Sequence, residues 1–91
     1  MVDLGTLNGP DGTSDAFDIS ENGQVVGSTT TSADPNNMHA YIWSQATGMQ
    51  QLPDLPGETD SGGLGLNEAG QIIGFADTPD GRTHGILWTP R

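Results

Sequence analysis

The chain contains no cysteine and no lysine. Without thiols there is no disulfide framework, no thiolate zinc site and no cysteine nucleophile. Its basic residues are Arg82 and Arg91, set against 12 acidic ones, for a net charge of −10. That balance argues against nucleic acid and against an anionic membrane surface, since both need basic contacts. No apolar run approaches the ~20 residues of a membrane span, and the first residues lack the charged-then-apolar pattern of a secretion signal. Aromatic residues make up only 5% and apolar residues 32% of 91, a thin supply for a private core. A chain of this length still buries roughly two-thirds of its unfolded surface, so independent folding is marginal. No segment keeps a 3.6-residue period for ten positions, which excludes a long amphipathic helix. No Gly-x-Ser-x-Gly elbow and no phosphate loop followed by a helix is present.

What is abundant is glycine, at 14 residues, and it recurs in a pattern. Residues 14–27 read SDAFDISENGQVVG and residues 61–74 read SGGLGLNEAGQIIG, an offset of 47. HAYIW at 39–43 matches HGILW at 84–88, an offset of 45, and LGTL at 4–7 matches LPDL at 52–55, an offset of 48. The chain is therefore two copies of one unit, with length changes confined to the segments between matched blocks, where loops tolerate them.

Within each copy the sequence predicts strands joined by turns. Residues 15–19 and 63–67 alternate apolar with small or polar side chains. Glu21-Asn22-Gly23 and Glu68-Ala69-Gly70 end in the glycine a tight turn needs. Second strands are expected over 24–29 and 71–76, third strands over 39–44 and 84–89, and a short fourth strand over 49–52. The loops between second and third strands, 30–37 and 77–83, carry the Asp, Asn, Pro and Gly of turn chemistry. The opening MVDLGTL aligns with MQQLPDL at 49–55, so the chain starts on a fourth-type strand and stops after a third-type one. This divides it into unit 1 (1–48) and unit 2 (49–91). The N-terminal strand is expected to complete the last unit, within one chain or between chains.

The strings DLGTL (3–7), ISENGQVVG (19–27) and HAYIW (39–43), echoed by LNEAGQIIG (66–74) and HGILW (84–88), resemble the HAF repeat. That family is found in tandem in predicted extracellular bacterial proteins. The triplet that names it stands here as His-Ala-Tyr at 39–41 and His-Gly-Ile at 84–86, and the second leucine-glycine block is altered to LPDLPG at 52–57. The resemblance implies a surface or secreted setting and a propeller-like repeat, and it supplies no catalytic residue. A period of about 45 residues with four strand signals independently fits one propeller blade. The expected fold is all-β, with two blade-like antiparallel four-stranded units. Two blades cannot close a ring, which needs about four to eight. Either the chain is a fragment of a longer array or several chains assemble, and a cyclic homo-oligomer (three chains would give six blades) is the simplest arrangement that leaves no open edge. The competing arrangement is a compact two-unit monomer, a small sandwich or pseudo-symmetric barrel.

Recurring side chains are the candidate sites. His39 and His84 suit either a metal or a structural bond to a neighbouring carbonyl, and repetition favours the second. Trp43 and Trp88 suit a sugar-stacking platform or packing between units, and packing is again favoured. Tyr41 occurs in one copy only, which marks it as a candidate for a specific surface contact. Asp15, Asp18 and Glu21 cluster, but their counterparts are Gly62, Gly65 and Glu68. No cofactor is expected. If a structural cation binds these carboxylates or the loops at 34–37 and 77–81, Ca²⁺ suits the all-oxygen donors. The acidity serves solubility or reflects a high-salt habitat. The functional expectation is a non-catalytic binding or scaffolding module, contacting neighbouring repeats and a protein or glycan ligand. The alternative is a carbohydrate-binding module with one site per repeat.

Overall fold

The computed structural model describes residues 4–9, 12–34, 36–53, 59–67 and 69–89. Parts of the expected N-terminal strand (1–3), the altered leucine-glycine block (54–57), the second turn (Glu68) and the end of the chain (90–91) lie outside them. The described residues form two antiparallel sheets and no α-helix. The first holds β1 (Ser14–Ile19), β2 (Val25–Thr29), β3 (His39–Ser44) and β4 (Gly48–Gln51) in that order. The second holds β5 (Ser61–Leu66), β6 (Ile72–Asp77) and β7 (Thr83–Trp88) in that order.

The two sheets match residue for residue. Val25 pairs with Trp43 and Ile72 with Trp88; Val26 pairs with Ile42 and Ile73 with Leu87; Thr29 pairs with His39 and Ala76 with His84. Both first strands bulge at the same place, with Phe17 and Leu64 as the extra residues. The bulge explains a recurring glycine. A Cβ on Gly27 would run into the carbonyl oxygen of Asp15, and one on Gly74 into that of Gly62. The turn before each second strand is also shared. Gly23 and Gly70 sit at φ 84° and 85° and donate to the carbonyls of Ser20 and Asn67. Side-chain oxygens of those same two residues accept the N–H of Gln24 and of Gln71.

The second sheet departs from the expected four strands. No strand pairs with the outer edge of β7 among the described residues. The described part of the N-terminal segment lies instead on the first sheet. Leu7 bridges Thr31 and donates to Oγ1 of Thr29, and Ser14 donates to the carbonyl of Gly5. Residues 4–9 thus do not complete the second sheet of their own chain. β4, which opens the second sequence repeat, belongs to the first sheet, so repeat and sheet are out of phase by one strand.

The sheets stack face on face, with β5 lying across β1, β2 and β3. Directly paired residues share a face. Asp18, Val26 and Ile42 therefore define the front of the first sheet, and Ile19, Val25 and Trp43 its back. The front meets the back of the second sheet: a Cβ on Gly63 would lie 3.0 Å from Cβ of Val26 and 3.4 Å from Cγ2 of Ile72. The core holds Val25, Val26, Ala40, Tyr41, Ile72 and Ala76. Buried Ser28, Thr29 and Ser61 supplement this small apolar set. Ser61 ties the sheets together, accepting the N–H of Ala40 at Oγ (2.8 Å) and the hydroxyl of Ser28 at its carbonyl (3.2 Å).

Candidate functional site

The recurring side chains do not converge on one centre. His39 is buried, and its Nε2 lies 2.9 Å from Oδ2 of Asp34. The Asn37 amide donates to the same carboxylate at 3.2 and 3.3 Å. The hydrogen bond with His39, more than any other contact, holds the Asp34 carboxyl below its usual range. His84 stands at the same register position but is exposed. Its loop is two residues shorter, and the Asp77 carboxylate accepts instead from the Thr83 hydroxyl at 2.6 Å. The histidines are thus one packed residue and one surface residue, not a symmetric pair.

Tyr41 corrects the expectation of a surface contact. It is 1% exposed, and its hydroxyl donates to the carbonyl of Asp15 at 3.0 Å. Burial, assisted by the charge of Asp15, pushes its phenol above the ordinary range.

Trp43 and Trp88 are both half-buried. The Trp88 indole N–H donates to the carbonyl of Pro53 at 2.9 Å, which fixes the ring against the connection between the sheets. Around it Ile42, Leu52, Pro53, Ile72 and Thr89 line a cleft of about 240 Å³. This is a seam where front and back faces meet.

Carboxylates missing from any cluster turn out to serve the seam between sheets. Asp18 accepts the N–H of Leu66 through Oδ2 at 3.1 Å, and Asp60 accepts the N–H of Met38 at 2.7 Å. Among the described residues no three His, Asp or Glu side chains gather as a metal site would require. No described helix is long and apolar enough to cross a membrane.

The feature that sequence reasoning missed is the difference between equivalent faces. Val26 is fully buried, whereas its counterpart Ile73 is 60% exposed; Leu87, counterpart of half-buried Ile42, is 58% exposed. On the other side, Ile19 is 66% exposed while its counterpart Leu66 is half-buried. The recurring apolar pairs at 25–26 and 72–73 carried the signal, since each pair must cover both faces of its sheet.

Fold and surfaces together define a class: an all-β protein of two matching antiparallel sheets stacked front to back, with apolar surface left at both ends of the stack. Compared with protein-family models, with curated proteins and with solved structures, the chain finds no match in any of the three.

Proposed function

We propose that this chain is a non-catalytic interaction or scaffolding module, built of blade-like units that belong in a longer array or a closed propeller-like ring. One observation carries this reading: the contact between the two sheets joins unlike faces, front to back. Such a heterologous contact does not saturate itself and continues until it closes or is capped. The outer edge of β7 supports the same reading. β3, its counterpart, is covered by β4, so a fourth-type strand from a neighbouring repeat or chain would complete the second sheet. The resemblance to HAF repeats supports an extracellular or cell-surface setting. The acidic surface, net charge −10, keeps such an array soluble and turns nucleic acid away.

Joining three copies of the whole chain in tandem tests this function. A module that works in arrays gives one compact particle that melts cooperatively at a higher temperature than the single chain. Three beads that each melt like the single chain would refute it.

A further inference from the structure

We propose that the front of the second sheet, centred on Ile73 and Leu87, docks on the back of the first sheet of a second copy of this chain, centred on Ile19 and Leu4. This rests on the array reading and names the partner and both surfaces.

The chain carries the template within itself. Its internal seam places a first-sheet front (Val26, Ile42) against a second-sheet back (Leu66, Ile72, Trp88). The outward faces leave part of these positions open: Ile73, Leu87 and Ile19 are exposed, while Val25 on the back is already buried within the chain. Ile73 and Leu87 replace Val26 and Ile42 at equivalent register, with larger or equal apolar side chains. Exposures of 60% and 58% on one face and 66% for Ile19 on the other leave apolar surface at both ends.

The connection between units repeats as well. Leu52 lines the internal cleft with Ile72. Leu4, its sequence counterpart, lines an open concavity with Ile19 and Val25, the counterparts of Leu66 and Ile72. The outer back face is therefore the internal cleft with one wall missing, and Leu87 of a second copy occupies the place that Ile42 fills inside.

The bulge residues provide an internal control. Phe17 is 51% and Leu64 48% exposed, although one sits in the unit whose front is covered and the other in the unit whose back is covered. Phe17 nevertheless lines the same concavity as Leu4, Ile19 and Val25, whereas Leu64 is not among the residues that line the concavity of Ile73 and Leu87, so Leu64 is the position outside the proposed contact. Each chain carries a charge of −10, so association strengthens as salt screens the repulsion.

The test is solution mass by light scattering on the full 91-residue chain, at low and at roughly 0.5 M salt. Wild type is expected to exceed 9.5 kDa, with mass rising with salt. Ile73→Asp and Leu87→Asp, which spoil the front, and Ile19→Asp, which spoils the back, are each expected to weaken association at least tenfold, while Leu64→Asp, at an exposed bulge residue outside both concavities, does not. An equimolar mixture of Ile73→Asp and Ile19→Asp is expected to stop at two chains, because each retains one sound face. Circular dichroism checks that every variant stays folded. A wild type that stays at 9.5 kDa in all conditions overturns the proposal, and the three-copy tandem chain then decides the array reading separately. A wild type that assembles while the front and back variants assemble equally well leaves the array reading standing and overturns the assignment of surfaces. A mixture that remains single chains overturns the front-to-back pairing.

Discussion

The first sheet and the second are built to one plan and live in different surroundings. Strand register, bulge, turn and recurring glycines coincide. Burial does not: Val26 is sealed where Ile73 is open, and His39 is packed where His84 faces water. Local sequence sets the sheet, and the neighbour sets which face is core. Each sheet buries a face against the other, which lets a chain with 32% apolar residues fold around a small apolar core helped by buried Ser28, Thr29 and Ser61.

The strongest way to break the comparison is at the shared bulge. Gly27→Ala and Gly74→Ala each drive a methyl into a strand carbonyl, so each is expected to cost about 3 kcal/mol in denaturant unfolding. Losses that differ widely between the two would mean that the bulges are not equivalent. Next come the paired front positions. Val26→Ala is expected to cost about 2 kcal/mol, and Ile73→Ala less than about 0.5 kcal/mol in the dilute single chain, measured in the same way. Equal costs would contradict the difference in burial.

Tyr41 and Ile86 sharpen the comparison in the core. Tyr41→Phe removes one buried hydrogen bond and is expected to cost about 1 kcal/mol at neutral pH. Because the folded chain raises this phenol, it holds the proton more tightly than the unfolded chain does. The associated stability is present below the ordinary tyrosine range and is lost as pH rises through and above it. Thermal melts across alkaline pH are expected to show that extra loss in wild type and not in Tyr41→Phe.

The smallest effect is expected at Asp34, in the loop that the second unit shortens. Its carboxyl is held low chiefly by the hydrogen bond with His39, so the folded chain binds that proton less tightly than the unfolded chain does. The stability it contributes is present above the ordinary carboxylate range, near about pH 4, and is lost as pH falls through the lowered value. Melts on the acid limb are expected to fall less steeply for Asp34→Asn than for wild type.

Much of the fold was legible because it is written twice. Gly23 with Gly70 placed the turns, and the apolar pairs at 25–26 and 72–73 placed the strands that cover both faces; Gly27 and Gly74 recurred, but the bulges they accommodate became visible only in the strand register. What escaped depended on contacts distant in sequence. The bond from Tyr41 to the Asp15 carbonyl spans 26 residues and follows no periodicity. The two histidines share a letter and a register, yet a two-residue difference in loop length separates their surroundings. The N-terminal segment aligns with residues that follow β3, but its described part rests on the first sheet through Leu7 and Gly5. An alignment of strands says which unit a segment resembles, not which sheet receives it.

The absence of cysteine offers the most direct test of the central claim, that equivalent front faces are closed in the first sheet and open in the second. Val26→Cys and Ile73→Cys would each carry the only thiol of a dilute, folded chain. Thiol labelling is expected to be fast, near the rate of an unfolded peptide, for Ile73→Cys. For Val26→Cys it is expected to be roughly a hundredfold slower or more, the protection given by an opening free energy of about 3 kcal/mol. Equal rates at the two positions would contradict the claim.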